Sequence, residues 1–325
     1  MMNRIEKEQF LDWLLEEENP SVRYFTLRAI LGLAQDDERV LAARRAIMQS
    51  EPVSRILALQ DPAGWWNNAQ SMSLPMYLGT VWQLMLLAEL GADGSDERIR
   101  RAIDLVFQDL QSAEGSFPHE GERFAKQYAM DLICNDAMIA YGLAGLGVGT
   151  QDERMQRTVS FLTAVVNSGD YACRFNKGAE CAWGVVKMLR VLSLISEGER
   201  NENIRQAIKR GAEYLLSHEL VKADFPHKEG GKISEHWFRL GFPRSYQSDL
   251  LQTAFVLTAL GYGKDERLQP TIAFLRGKQL PEGGWALDVT WNKMIVPVTK
   301  PSKGKPDKWI SWQAFYVLQE SGQIQ

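Results

Sequence analysis

Two carboxylates stand where chemistry would be expected. Asp136, in Asn135-Asp136-Ala137, and Asp249, in Asp249-Leu250-Leu251-Gln252-Thr253-Ala254, each head a long apolar run. A carboxyl group that a dry pocket keeps protonated is a proton donor. Two carboxylates facing a cleft at about 5–10 Å would instead suit glycoside hydrolysis. Asp136 with Asp249, or Glu180 with Asp249, are the pairs at hand. The blander reading of Asp249 and Glu180 is as helix caps. Sulfur and imidazole form a second set. Asp170, Cys173, Cys181, His227 and His236 are donors of the kind that hold tetrahedral zinc, but their spacing matches no closed zinc pattern. Cys134 and Cys181 also read as small buried fillers, and no metal is expected. Aromatic and basic residues form the third set. Trp66, Tyr77, Trp82, Trp183, Trp237, Tyr246 and Trp312 would wall a site for an apolar or cationic group. Arg174, Lys177 and Arg244 would suit an anionic head group beside helix starts.

Other classes are set aside by composition. The chain has 325 residues, 45% hydrophobic and 24% charged, with a formal net charge of -4. That balance asks for neither a nucleic-acid backbone nor an anionic membrane. No apolar run approaches the roughly 18 residues of a membrane span, and the polar start lacks a signal-peptide core, so a cytoplasmic location is expected. Three cysteines in so long a chain read as reduced thiols. No Gly-rich phosphate loop, H-E-x-x-H or G-x-S-x-G is present, and no cofactor is expected.

A repeat sets the elements that must position these residues. Asp37-Glu38-Arg39-Val40 returns at Asp96 to Ile99, Asp152 to Met155 and Asp265 to Leu268, with a degenerate copy at Asn201 to Ile204. The spacings, 59, 56, 49 and 64 residues, are those of stacked helical hairpins. The acidic residue caps a helix whose apolar positions recur at helical spacing, as in Ile99, Ile103, Val106, Phe107 and Leu110. Before each copy runs a helix that is apolar on most sides and ends in glycine, such as Thr80 to Gly91, Ala137 to Gly147 and Thr253 to Gly261. The pattern predicts six buried inner helices and six amphipathic outer ones in a single domain over 1–325. Inner-to-outer turns are short and outer-to-inner connections long, so the long loops gather where the inner helices begin. Aligning the inner helices by their ends puts Gly79, Asn135, Cys181 and Asp249 on one level there. Strands should be nearly absent, apart from a hairpin around Gly284 to Val298.

Two outer helices run into a particular turn: Leu59-Gln60-Asp61-Pro62-Ala63-Gly64-Trp65, and Lys278-Gln279-Leu280-Pro281-Glu282-Gly283-Gly284-Trp285. A weaker copy runs from Leu110 to Phe117. These turns resemble the Q-x-x-x-G-x-W repeats of the squalene cyclase and prenyltransferase superfamily, over nearly the whole chain. With Trp65 and Trp285 as plugs between repeats, the resemblance implies an all-α (α/α)6 toroid with a central pocket for an isoprenoid or other apolar small molecule. It also implies a proton-donating Asp from D-x-D-D-T-A at an inner-helix start. Here Asp249 and Thr253-Ala254 match, while Leu251 stands where the donor would be. The residues leave three readings open: a terpenoid-cyclase-like enzyme, a carbohydrate-active toroid, and a non-catalytic binding or scaffold protein.

Overall fold

A computed structural model of the chain describes residues 4–118, 132–226, 234–291 and 293–324. In chain order the first helices are α1 (Arg4–Leu14), α2 (Pro20–Phe25), α3 (Glu38–Gln49), α4 (Glu51–Ala58), α5 (Thr80–Glu89) and α6 (Glu97–Leu110). Then come α7 (Ile133–Gly145), α8 (Glu153–Ser168), α9 (Ala182–Ser193), α10 (Glu202–Leu216), α11 (Leu250–Leu257), α12 (Gln269–Gly277) and α13 (Lys308–Glu320). Single π turns extend α2 over Thr26–Ile30 and α11 over Thr258–Tyr262.

The acidic repeats do start helices. Asp37, Asp96, Asp152 and Asp265 each accept the backbone N–H two residues on, at 2.8–2.9 Å. The arginine at that position folds back and donates from its guanidinium to the same carboxylate. That guanidinium holds all four carboxyls below the usual range. The helices so capped are amphipathic. In α6, Ile99, Ala102, Ile103, Val106, Phe107 and Leu110 are buried and the other face is wet. The repeat starting at Asp37 is split, because Pro52 has no N–H to continue α3 and instead opens α4.

The apolar helices form the inner ring. Every residue of α5 is buried. α7 packs on α5 and α9, α11 on α9 and α13, and α13 on α2. Tyr24 and Phe25 of α2 crowd Gly91, just past α5, so the six inner members run round an annulus. The chain ends meet across it: Phe10 stacks on Phe315 with centroids 5.2 Å apart, and Gln319 donates to the Ile30 carbonyl at 3.2 Å. Close packing of α5 on α7 needs Gly142, where a Cβ would sit 3.1 Å from the Met85 Cα. No described helix is long and apolar enough to cross a membrane.

The repeat turns are plugged as expected, with one change of residue. Asp61 N–H closes on the Trp65 carbonyl, and Leu280 N–H on Gly284, so the two turns superpose with Trp66, not Trp65, matching Trp285. The Trp66 indole N–H donates to the Ile56 carbonyl at 2.7 Å, and that of Trp285 to Leu275 at 2.6 Å. Both rings are fully buried. Gln60 Nε2 ties its own turn to the next repeat, donating to the Gly64 and Arg98 carbonyls at 2.9 Å. Phe117 is the third plug.

Among the described residues of Gly284 to Val298, the segment does not pair with itself as the expected hairpin would. Val289 bridges to Gly241, and Ala286 to Pro306. Asp288 accepts the Leu240 N–H at 2.9 Å, while the Leu240 carbonyl takes the Asp288 and Val289 N–H groups. The segment pairs with two neighbouring loops rather than with itself, and straps the loop before α11 to the head of α13.

Candidate functional site

The inner helices begin at one end of the annulus, with N-cap residues Asn19, Gly79, Leu132, Cys181, Asp249 and Asp307. Three of the four residues placed on one level from sequence are caps, and Asn135 lies in the first turn of α7.

Asp249 is fully buried and fully engaged. Its Oδ1 accepts the Gln252 N–H at 2.7 Å, and its Oδ2 accepts the Gly241 N–H at 3.2 Å. Arg244 forms an ion pair with the same oxygen and also donates to the Arg239 carbonyl at 3.0 Å. The carboxylate is enclosed by these three donors. It caps α11 and anchors the loop before it. Leu251, at the donor position, is a buried core residue.

Asp136 Oδ1 accepts the Phe117 N–H at 2.5 Å, and Asn135 Nδ2 donates to the Phe117 carbonyl at 3.3 Å. This pair pins the third plug to α7. Glu180 borders Tyr171 and Tyr214, the latter on the outer helix α10, and its carboxylate helps push both phenols up, after burial. Asp136 and Asp249 are thus held by different backbone partners, at the heads of α7 and α11.

The aromatic residues divide in two. Trp66 and Trp237 are fully buried packing elements. The Trp237 indole donates to the Leu220 carbonyl at 2.8 Å, and its ring meets Phe225. Tyr77, Trp82 and Tyr246 gather with Trp291 into a wall at the mouth, with Trp82 lying 4.8 Å from Tyr77, 5.5 Å from Tyr246 and 5.7 Å from Trp291. Trp82 is pinned by its N–H to the Ser73 carbonyl at 2.9 Å. Tyr77 takes the left-handed backbone region, at φ 72°, which costs a non-glycine residue energy unless its surroundings impose it. Leu74 and Met76 stand exposed at 37% and 46% in the loop that carries Tyr77. Trp312 sits between Phe25, stacked at 5.0 Å, and Phe255. Trp183 is half-buried in the first turn of α9. Arg174 lies over the Phe175 ring. His119 and His227 lie outside the described residues; among those described, no three His, Cys, Asp or Glu side chains form a metal site.

Sequence reasoning passed over a set of buried polar residues on the inner helices. Lys187 on α9 is 3% exposed and donates from Nζ to Gln252 Oε1 on α11 at 2.8 Å. Burial pushes its amine far below the ordinary lysine value, with Arg190 and Arg244 adding to the effect. Arg190 makes a two-pronged bond to Glu89 on α5, at 2.6 and 2.8 Å, and a third to the Tyr141 hydroxyl on α7 at 2.8 Å. Its charge survives burial because Glu89 and Tyr141 more than offset the lost water. The signal was there: two cations three apart in the buried run Ala182-Trp183-Gly184-Val185-Val186-Lys187-Met188-Leu189-Arg190.

A cavity of about 20 Å³ lies between the heads of α7 and α9, lined by Cys134, Tyr171, Cys173, Cys181, Val185 and Met188. A larger groove of about 760 Å³ lies elsewhere, between α1, the turn after α12 and Lys305-Pro306.

No family model and no curated protein matches the chain. Among solved structures it is similar to the type II terpene cyclase MstE from Scytonema in two variant forms. One, in complex with the product merosterolic acid A, has a TM-score of 0.46 and 13% identity over 97% of this chain and 99% of that one. The other, in complex with the substrate geranylgeranyl dihydroxybenzoate, has a TM-score of 0.44 and 15% identity over 94% and 88%.

Proposed function

We propose that the chain is a single toroid that binds an apolar chain, such as an isoprenoid, at the mouth and does not cyclise it. The observation that carries this reading is the wall of Tyr77, Trp82, Tyr246 and Trp291, with exposed Leu74 and Met76 in the loop that carries Tyr77. Exposed apolar side chains grouped at one place mark a binding surface, and aromatic faces suit both isoprenoid chains and cations. The wall rings now fill one another's space, so a ligand must part them. Leu74 and Met76 leave apolar surface open next to Tyr77, so a ligand would enter there.

The acid side of terpenoid cyclisation has no support. Asp249 is committed to Arg244 and two backbone N–H groups, and Leu251 replaces the donor.

Titration with geranylgeraniol, followed by tryptophan fluorescence, tests the proposal. Saturable quenching is expected, with affinity falling about tenfold or more in Trp82→Ala, which corresponds to about 1.4 kcal/mol. Gas chromatography of the extract should return the alcohol unchanged. Absence of saturable quenching overturns the binding reading. A cyclised product overturns the non-catalytic half of it.

A further inference from the structure

All three cysteines of the chain border the same small cavity, though they come from three places in the sequence. Cys134 lies in the first turn of α7, Cys181 caps α9, and Cys173 opens the turn of the loop between α8 and α9. That loop folds back on itself. Ala172 bridges to Glu180, Cys173 N–H donates to the Ala179 carbonyl at 3.0 Å, and Cys181 N–H to the Tyr171 carbonyl at 2.9 Å. Asn176 locks the turn, its Nδ2 donating to the Glu180 carbonyl at 2.7 Å and to Pro226 at 3.1 Å. Cys173 and Cys181 are thus diagonal neighbours across the two arms of the loop, and both line the cavity. Both are free and half-buried.

We propose that Cys173 and Cys181 form a peroxide-reactive thiol pair, in which Cys173 takes the oxidant and Cys181 resolves it into a disulfide. The cavity of about 20 Å³ has room for one molecule of water or peroxide size beside the sulfurs. The Cys173 thiolate attacks one peroxide oxygen, the O–O bond breaks, and the departing hydroxide takes a proton to become water. Cys173 is left as a sulfenic acid. The Cys181 sulfur then attacks the Cys173 sulfur, and the S–OH oxygen leaves with the Cys181 proton as a second water. Two thiols are oxidised and one hydrogen peroxide is reduced to two waters.

The division of roles follows from the surroundings. The neighbouring Cys181 thiol draws the Cys173 thiol down, against the cost of burial and with help from the Asn176 and Phe175 N–H groups, which favours its thiolate. The contact with Cys173 and burial push Cys181 up. Burial carries Cys134 up to about 12, so the third thiol is unreactive although it borders the same space. This inference is independent of what the mouth binds.

Reduced full-length protein treated with stepwise hydrogen peroxide is the test. Intact mass should fall by about 2 Da, and unreduced digests should yield a peptide joining Cys173 to Cys181. In Cys181→Ser the intermediate has no resolving thiol, and dimedone should trap it on Cys173. Iodoacetamide on the wild-type protein at pH 7 should label Cys173 about 100-fold faster than Cys134, as a thiolate differs from a buried thiol. Oxidation to sulfinic acid without mass loss, or first labelling at Cys134, would overturn the proposal.

Discussion

The plugged turns and the inner helices both bury polar groups, in different ways. At the turns, Trp66 and Trp285 bury an apolar ring and satisfy one N–H, and each does the same job in its own repeat. On the inner helices nothing repeats. Asp249 is paired with Arg244, Lys187 with Gln252, and Arg190 with Glu89 and Tyr141, each on a different pair of elements. Repetition serves a ring that only has to close. Unrepeated buried charge costs desolvation, so each pair depends on its own partners.

The largest effect that would separate the two regions comes from Arg244. Arg244→Met leaves Asp249 buried with only its N–H partners, and chemical denaturation should register a loss of about 3–5 kcal/mol. Adding Asp249→Asn should restore about half of that, since the cap on Gln252 is kept while the stranded charge is gone. Equal losses in the single and double variants would mean that the pair is no unit. At the turns, Trp66→Ala should also cost about 3–5 kcal/mol. Trp66→Phe, which gives up the bond to Ile56 but keeps most of the ring, should cost about 1–2 kcal/mol. Neither substitution should alter geranylgeraniol affinity beyond its effect on the folded fraction. A selective affinity loss in Trp66→Phe would return that ring to the mouth, where its aromatic type alone had placed it.

Lys187 gives the next effect, and its sign is fixed by the direction of its shift. The folded state holds the amine well below its ordinary value, so between the folded and unfolded values the unfolded chain binds more protons. Stability therefore rises with pH across that window, by up to about 1.4 kcal/mol per pH unit for one group. Denaturation midpoints from pH 7 to 9 should climb more steeply in the wild-type protein than in Lys187→Met. Parallel profiles would show that the amine keeps its proton inside the ring.

What could be read from the sequence follows the same division. The Asp-x-Arg caps and glycine stops are local, and each recurs, so the two rings and the face holding the long loops were legible. The plug was legible too, but aligning on the first tryptophan of Trp65-Trp66 gave the wrong ring, although the spacing from Gln60 through Gly64 points to Trp66. Asp249 was visible as an acid at a helix head. That Arg244, five residues upstream, consumes it depends on how the loop folds back. Lys187 and Arg190 were hidden for another reason: a helix apolar on all sides has no polar face to show which way a lone cation points. The hairpin misread near Val289 is of the same kind, since strand pairing there is chosen by the loop at Leu240 and not by the segment itself.

The smallest effect belongs to the most legible feature. Asp96→Ala removes the cap on the Arg98 N–H and the partner of its guanidinium, and should cost about 1 kcal/mol in denaturation, as N-caps do. Arg98→Ala leaves the cap in place and removes only a half-exposed ion pair, so it should cost under about 0.5 kcal/mol. Arg154 sharpens the contrast. It makes the same fold-back bond to Asp152 but also reaches Asp104 on α6 at 2.8 Å and lies 4.4 Å over Phe107. Arg154→Ala should therefore cost more than Arg98→Ala, because one arginine joins two outer helices and the other serves only its own. Equal costs would mean that the repeated caps act only within their own helices, and that the ring is held by its plugs and inner faces alone.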